Sequence, residues 1–173
     1  MIISLIGYRA TGKTTVARLL AERLGAPWAD SDAEIERRAG KNIAQIFADE
    51  GESVFRDFEE RVIFDLCQSD ELILATGGGA ILRENTRALL RDSGFVLWLT
   101  APPEVILERM MADADSATMR PSLTNLPALD EIRALLQARE AFYRETATIE
   151  LAVQNFSPQE IVEQIMIMGG MHE

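Results

Sequence analysis

Histidine is all but missing from this chain. The only one is His172, one residue from the end. A Ser-His-Asp or Cys-His nucleophile therefore has no base within the body of the sequence, and a zinc site of His and Cys ligands has no ligand set. Cysteine is equally scarce: Cys67 stands alone, which excludes an internal disulfide and suits a reducing cytoplasm. No apolar run approaches the ~20 residues that a spanning helix needs, so no membrane segment is expected. The N-terminus lacks the basic stretch of a signal peptide. Positive charge is short too. Seventeen Lys and Arg face 28 Asp and Glu, for a net charge of −11. That balance argues against nucleic acid as a partner, and any site for a phosphate or carboxylate must be locally basic. Lysine itself occurs only twice, as Lys13 and Lys41. Chemistry has to rest on carboxylates, arginines, Lys13, backbone amides and a hard cation.

What remains is ordinary for a globular protein. The chain has 173 residues, 47% hydrophobic and 26% charged, enough for one domain with a real core. Its organising stretch is Gly7-Tyr8-Arg9-Ala10-Thr11-Gly12-Lys13-Thr14, a gapless G-x-x-x-x-G-K-[ST]. The apolar run 1–6 precedes it as a buried strand would. Val16, Leu19, Leu20 and Leu24 follow at helical spacing, with Gly25 placed to end the helix. Strand, glycine loop and helix together make a phosphate site. Gly7 and Gly12 are expected to take positive φ, so that backbone N–H groups at a helix N-terminus close on the anion. Lys13 supplies charge for the β- and γ-phosphates, and the Thr14 hydroxyl is a ligand for Mg²⁺.

Strand-like runs recur at 1–6, 26–29, 71–75, 94–99 and 149–153 between helical stretches, which predicts a mostly parallel sheet with helices on both faces. Asp30 and Asp32 fall where the second strand ends, at the edge where open α/β sheets bind ligands. They suit a Mg²⁺ shell and a substrate hydroxyl; capping the next helix is the plainer use of both. Ser31 with Glu34 has the spacing of a capping box for that helix, which Gly40 closes. Residues 42–69 read as two helices broken at Gly51. Their apolar faces are Ile43, Ile46, Phe47 and then Phe55, Phe58, Val62, Leu66. Arg56 lies off the second face, where a solvated ion pair is the default reading. Gly77, Gly78 and Gly79 follow a buried strand and are expected to offer backbone N–H groups at the same edge; a flexible loop is the other reading. Residues 112–126 lose all periodicity and read as a mobile lid or a loose surface loop. Arg120 before Pro121 suits a lid that brings a cation onto phosphate. Ser157, Pro158 and Glu160 form a capping box with proline at the first helical position.

These motifs together resemble those of the shikimate kinases, P-loop small-molecule kinases related to the nucleoside monophosphate kinases. The resemblance rests on the phosphate loop, Asp30-Ser31-Asp32, Gly51-Glu52-Ser53-Val54-Phe55-Arg56 with Glu59, Thr76-Gly77-Gly78-Gly79, Arg120-Pro121, and Arg139 four residues before Tyr143. It runs from Met1 to about Met168. It implies a single domain over 1–173 with a three-layer α/β/α P-loop kinase fold: a five-stranded parallel sheet, substrate-binding helices at about 33–60, and the lid. It implies ATP and shikimate as the small-molecule partners, Mg²⁺ as cofactor, a cytoplasmic monomer, and a place in chorismate and aromatic amino acid biosynthesis. By the same resemblance Gly7, Tyr8, Arg9, Ala10, Thr11, Gly12, Lys13, Thr14 and Thr15 bind ATP, with Arg109 and Pro158 flanking the adenine. Thr14 and Asp30 serve the metal. Asp32 binds hydroxyls of the acceptor and orients or deprotonates one of them. Arg56, Arg139 and the amides of Gly77, Gly78 and Gly79 hold the carboxylate. Lys13, Asp32 and Arg120 carry catalysis.

Ala10 stands where glycine is frequent in that family, and alanine fits if its φ is negative. The lid is longer than in the shortest members. The competing functions are another P-loop kinase, of gluconate or nucleotide type, and a non-catalytic ATP-binding regulator. A gluconate kinase would lack the joint set of Asp30, Asp32, Arg56 and Arg139; a nucleotide kinase would need a base pocket, which the sequence does not display; a regulator should have lost Asp32 or a substrate arginine.

Overall fold

Alternation within the strands sorts the core into two sheets of side chains. The computed structural model describes residues 1–113 and 126–170. In β1 (Ile2–Ile6), Ile3 and Leu5 face one side and Ile2 and Ile6 the other. In β3 (Leu72–Ala75) and β4 (Gly94–Thr100) the same split recurs, with Ile73, Ala75, Leu97 and Leu99 on the first face and Leu72, Leu74, Val96 and Trp98 on the second. Strands apolar on both faces need cover on both faces, which is the signature of a parallel sheet. All pairings are parallel, in the order β2-β3-β1-β4-β5. The edges are the short β2 (Trp28–Asp30) and β5 (Ile149–Ala152). This is the three-layer arrangement that the alternation of elements predicts, with strand boundaries shifted by one or two residues.

Helix α1 (Lys13–Leu24) and α7 (Pro158–Met168) cover the first face. The end of α3 (Ile43–Leu66), α4 (Glu84–Ser93) and α6 (Ala128–Thr146) cover the second. A short 3-10 turn, Ala80–Leu82, leads into α4; no sequence expectation covers either element. Helix α5 (Pro103–Ala112) meets α6 around Ile106, Ile132 and the Tyr8 ring. Off the main sheet, α2 (Ser31–Ala39) and α3 build a satellite core from Ile35, Ile43, Ile46, Phe55 and Val62. Both arms of α3 reach that core because Gly51, at φ 86° and ψ 169°, bends the helix between them. The two expected helices are thus both present, and they meet in a kink at Gly51 where the glycine predicts it.

The cap of α2 differs from the expected box. Asp30 is the N-cap, and its Oδ1 accepts the amides of Asp32 and Ala33 at 2.9 and 3.3 Å. The Ser31 hydroxyl, fully buried, instead accepts the Gly77 N–H at 3.1 Å. Glu34 turns outward to Arg37 and Arg38, whose guanidinium groups lower its pKa to about 2. A carboxylate one residue earlier displaced the serine, and a buried amide in the loop after the neighbouring strand needed its hydroxyl more. At α7 the expected box forms, with Ser157 and Glu160 exchanging bonds at 2.7 and 3.3 Å. The expected lid, including Arg120 and Pro121, lies almost wholly outside the described residues.

Candidate active site

Two loops leave neighbouring strands and turn to opposite faces of the sheet. After β1 the chain enters α1 on the first face; after β3 it enters the 3-10 turn and α4 on the second. A crevice opens between such loops at the carboxyl ends of the strands. On one side lies the phosphate loop. Gly7 and Gly12 hold φ of 142° and 91°, and a Cβ on Gly7 would overlap the Leu99 carbonyl oxygen. Ala10, however, sits at φ 60°, the one non-glycine residue at positive φ among those described. The negative φ under which alanine would fit without strain is thus not the one adopted. The loop holds alanine in a left-handed turn at a cost of about 1–2 kcal/mol, which explains why glycine suits this place. The Tyr8 carbonyl ties the loop together, accepting both the Thr11 hydroxyl and the Lys13 ammonium at 2.8 Å.

Arg9, Ala10, Gly12, Lys13, Thr14 and Thr15 line a hollow with Asp30, Asp32, Thr76 and Gly78. In it Thr14 donates its hydroxyl to Asp30 Oδ2 at 2.6 Å. Asp30 therefore caps α2 with one oxygen, the plainer of the two uses foreseen for it, and accepts the Thr14 hydroxyl with the other. Asp32 does not cap; its carboxylate lies in the hollow, with Oδ1 2.6 Å from where a Gly77 Cβ would be. Thr14 at the end of the phosphate loop and Asp30 at the end of β2 are hard oxygen donors side by side, which fits Mg²⁺, an ion that binds through one or two protein oxygens plus phosphates and water.

A second hollow adjoins the first. Tyr8, Arg9, Phe47, Phe55, Arg56, Glu59, Gly78, Gly79, Glu131 and Arg139 are among its walls. Arg9 and Gly78 line both. Asp32 borders the first hollow while Arg56 and Arg139 border the second, so the three are joined across this seam rather than set around one cup. Arg56 is buried, against the default reading of a solvated ion pair. It donates to Glu59 at 2.6 Å and to the more exposed Glu52 at 3.3 Å. Burial pushes the Glu59 carboxyl up from its usual range, while Arg56 and then Arg139 pull it down. Its Oε1 is buried without a hydrogen-bond partner. A pair so desolvated adds little net stability. Its consequence is placement, a guanidinium held at the wall of a cavity.

Arg139 donates to the Gly78 carbonyl at 3.3 Å, and the Tyr143 hydroxyl donates to the same oxygen at 2.6 Å. The Arg139 guanidinium also lies 5.9 Å from the Tyr8 ring centroid. The glycine triplet serves close approach rather than unusual φ, since none of the three is left-handed. A Cβ on Gly79 would fall 2.5 Å from Arg56 Nη2, and one on Gly77 2.7 Å from Glu59 Oε1. The Gly77 N–H is already taken by Ser31, so only Gly78 and Gly79 remain for a ligand. Gly79→Ala is expected to displace Arg56 from Glu59 and to destabilise the protein by about 1–3 kcal/mol. Urea unfolding measures the loss, and an unchanged midpoint would show that the guanidinium moves aside at no cost.

The remaining candidates are scattered. Arg109 reaches the carbonyls of Ala10 and Val153, each at 3.4 Å, and so joins the phosphate loop to the chain after β5. Pro158 begins α7 just beyond but lines neither hollow. Thr11 points away from both, onto the Tyr8 carbonyl. Residues with no site role expected from the sequence also line the hollows: Thr76 and Glu59, singled out only as parts of motifs, and Glu131, not singled out at all. Glu59 had a signal, three residues after Arg56 and therefore on its side of the helix. Glu131 had none, because its burial comes from the packing of α6 against α5.

Likeness to known proteins points the same way. The family model for shikimate kinase matches residues 9–168. A shikimate kinase of Rhodopirellula baltica is 41% identical over 162 residues, 94% of this chain and 87% of that protein. One from Symbiobacterium thermophilum is 43% identical over 166 residues, 96% of this chain and 94% of that protein. Among solved structures, a shikimate kinase from Acinetobacter baumannii in complex with shikimate is 37% identical. It aligns with a TM-score of 0.90 over 99% of this chain and 95% of that one. A gluconokinase from Sinorhizobium meliloti reaches a TM-score of only 0.60 at 18% identity, which is likeness of fold alone. Nearly the whole length of the sequence, including the sheet edge where both hollows open, follows one pattern of ATP-dependent kinases: the chain belongs to the shikimate kinase family.

Proposed function

We propose that the phosphate-loop hollow takes ATP, that the adjoining hollow takes shikimate, and that the γ-phosphoryl group passes across the seam to the 3-hydroxyl, giving shikimate 3-phosphate and ADP. The carrying observation is that seam: the phosphate loop and two buried arginines are brought to either side of Gly78. Lys13 and the loop amides hold the phosphates. Thr14 and Asp30 hold Mg²⁺, which neutralises phosphate charge when bound. Asp32 orients the acceptor hydroxyl and accepts its proton. Arg56 and Arg139 clamp the carboxylate with planar forks, assisted by the amides of Gly78 and Gly79. Arg109 and Pro158 flank the adenine, and Arg120 closes over the phosphoryl group from the lid. Phosphoryl transfer asks for positioning and charge stabilisation more than covalent chemistry, so a chain without a usable histidine is equipped for it. No helix among the described residues is long and apolar enough to cross a membrane. We infer a single-domain monomer working in the cytoplasm.

A coupled ADP-release assay with ATP and Mg²⁺ tests the reading. Release is expected with shikimate and not with gluconate or nucleoside monophosphates. Release with gluconate alone would move the chain to the rival kinase, and release with none would leave an ATP-binding regulator.

A further inference from the structure

The side chain of Arg9 has no part in the reaction above, which draws only on the amides of its loop. Among the described residues only Gly78 and Arg9 line both hollows, and glycine has no side chain, so among them Arg9 offers the one side chain common to both. It is half buried, and its guanidinium lies against the Tyr8 phenol, whose pKa burial raises and Arg9 lowers. Its Nε is buried with no hydrogen-bond acceptor. No carboxylate among the described residues pairs with it, in contrast to Arg56 with Glu59 and Glu52. A buried donor on an uncompensated cation is costly until an anion arrives. The carboxylate of the acceptor already has Arg56 and Arg139, and the ATP phosphates have Lys13. The anion that stands at the seam is the group being transferred.

We propose that Arg9 is a catalytic residue, its guanidinium holding the phosphoryl group in transit and afterwards on the product. The inference rests on the function proposed above. In the step, a bond forms between the acceptor oxygen and the γ-phosphorus as the bond from that phosphorus to the β-bridging oxygen breaks. The electron pair leaves with ADP, and the hydroxyl proton goes to Asp32. Arg9 gives and takes no proton. It donates hydrogen bonds from the side to oxygens on which charge spreads in the transition state.

Arg9→Met removes the fork and keeps an unbranched stem. It is expected to lower kcat about 10²-fold. Affinity for shikimate 3-phosphate, measured by calorimetry on the protein without nucleotide, should fall about tenfold, while affinity for shikimate stays unchanged. Arg9→Lys should recover part of the product affinity. Equal losses for shikimate and its phosphate would make Arg9 a second carboxylate ligand or a structural residue, and wild-type values for both would remove it from the site. If Arg9→Met does not fold, Arg9→Gln takes the same measurements under the same criteria. The wild-type enzyme is the control: if it releases no ADP with shikimate, the proposed function fails, whereas an active wild type makes the variants a test of Arg9 alone.

Discussion

Asp32→Asn lowers turnover by about 10²–10⁴-fold, the range that removal of a general base produces, while ATP binds as before. Asparagine has nearly the shape of aspartate, so the space beside Gly77, where Oδ1 stands 2.6 Å from a would-be Cβ, stays filled. What disappears is the negative charge facing Lys13 across the hollow and the capacity to accept a proton. Nucleotide binding should survive because asparagine keeps the bulk of the side chain and several ties of the phosphate loop do not involve Asp32. Lys13 and Thr11 hold the Tyr8 carbonyl, and Thr14 holds Asp30. Steady-state kcat with titrated ATP affinity decides the matter. Turnover near that of the wild type would take Asp32 out of the mechanism. A parallel collapse of ATP affinity would give it a metal role instead.

For Arg139→Ala the expected result is a large rise in the KM for shikimate. Truncating one partner of a buried charged contact costs about 2–5 kcal/mol, which at about 1.4 kcal/mol per tenfold is roughly 30- to 4,000-fold. The glycine loop should survive the change. Its Gly78 carbonyl keeps the Tyr143 hydroxyl at 2.6 Å, the shorter of its two bonds. The loss therefore reports on the acid and not on a collapsed wall. Lysine at the same place should recover little, since a point charge cannot match both carboxylate oxygens as the fork does. Where chemistry is slower than shikimate release, KM follows the dissociation constant. Calorimetry with shikimate then gives the same ratio, and an unchanged KM would place the carboxylate elsewhere.

Several features were legible from the chain because their causes are local. Gly25 and Gly40 end α1 and α2 at φ 67°, and Gly51 bends α3 where the apolar period breaks. Proline and a reciprocal pair open α7. The features that were misread turned on competition or on distant neighbours. Ser31 has the spacing of a cap, yet Asp30 wins the amides and Gly77 takes the serine. Arg56 sits on a polar stripe of its helix, and only the arrival of the glycine loop, with Gly79 in van der Waals range of its guanidinium, makes that stripe an interior wall. Ala10 has no local marker of its left-handed turn, which the closure of the loop around Tyr8 imposes.

From the residues in order one learns that a strand runs into a glycine loop and a helix, that a kinase-type phosphate site follows, and which arginines and carboxylates are at hand. Hydrogen bonding and side-chain period act over a few residues, so a linear reading captures them. The packed molecule alone decided that Arg9, Lys13, Asp32, Arg56, Gly78 and Arg139 meet at one sheet edge, in two hollows with a shared seam. That outcome depends on the chain leaving β1 for one face and β3 for the other, a choice made by the burial of whole helices rather than by any short stretch.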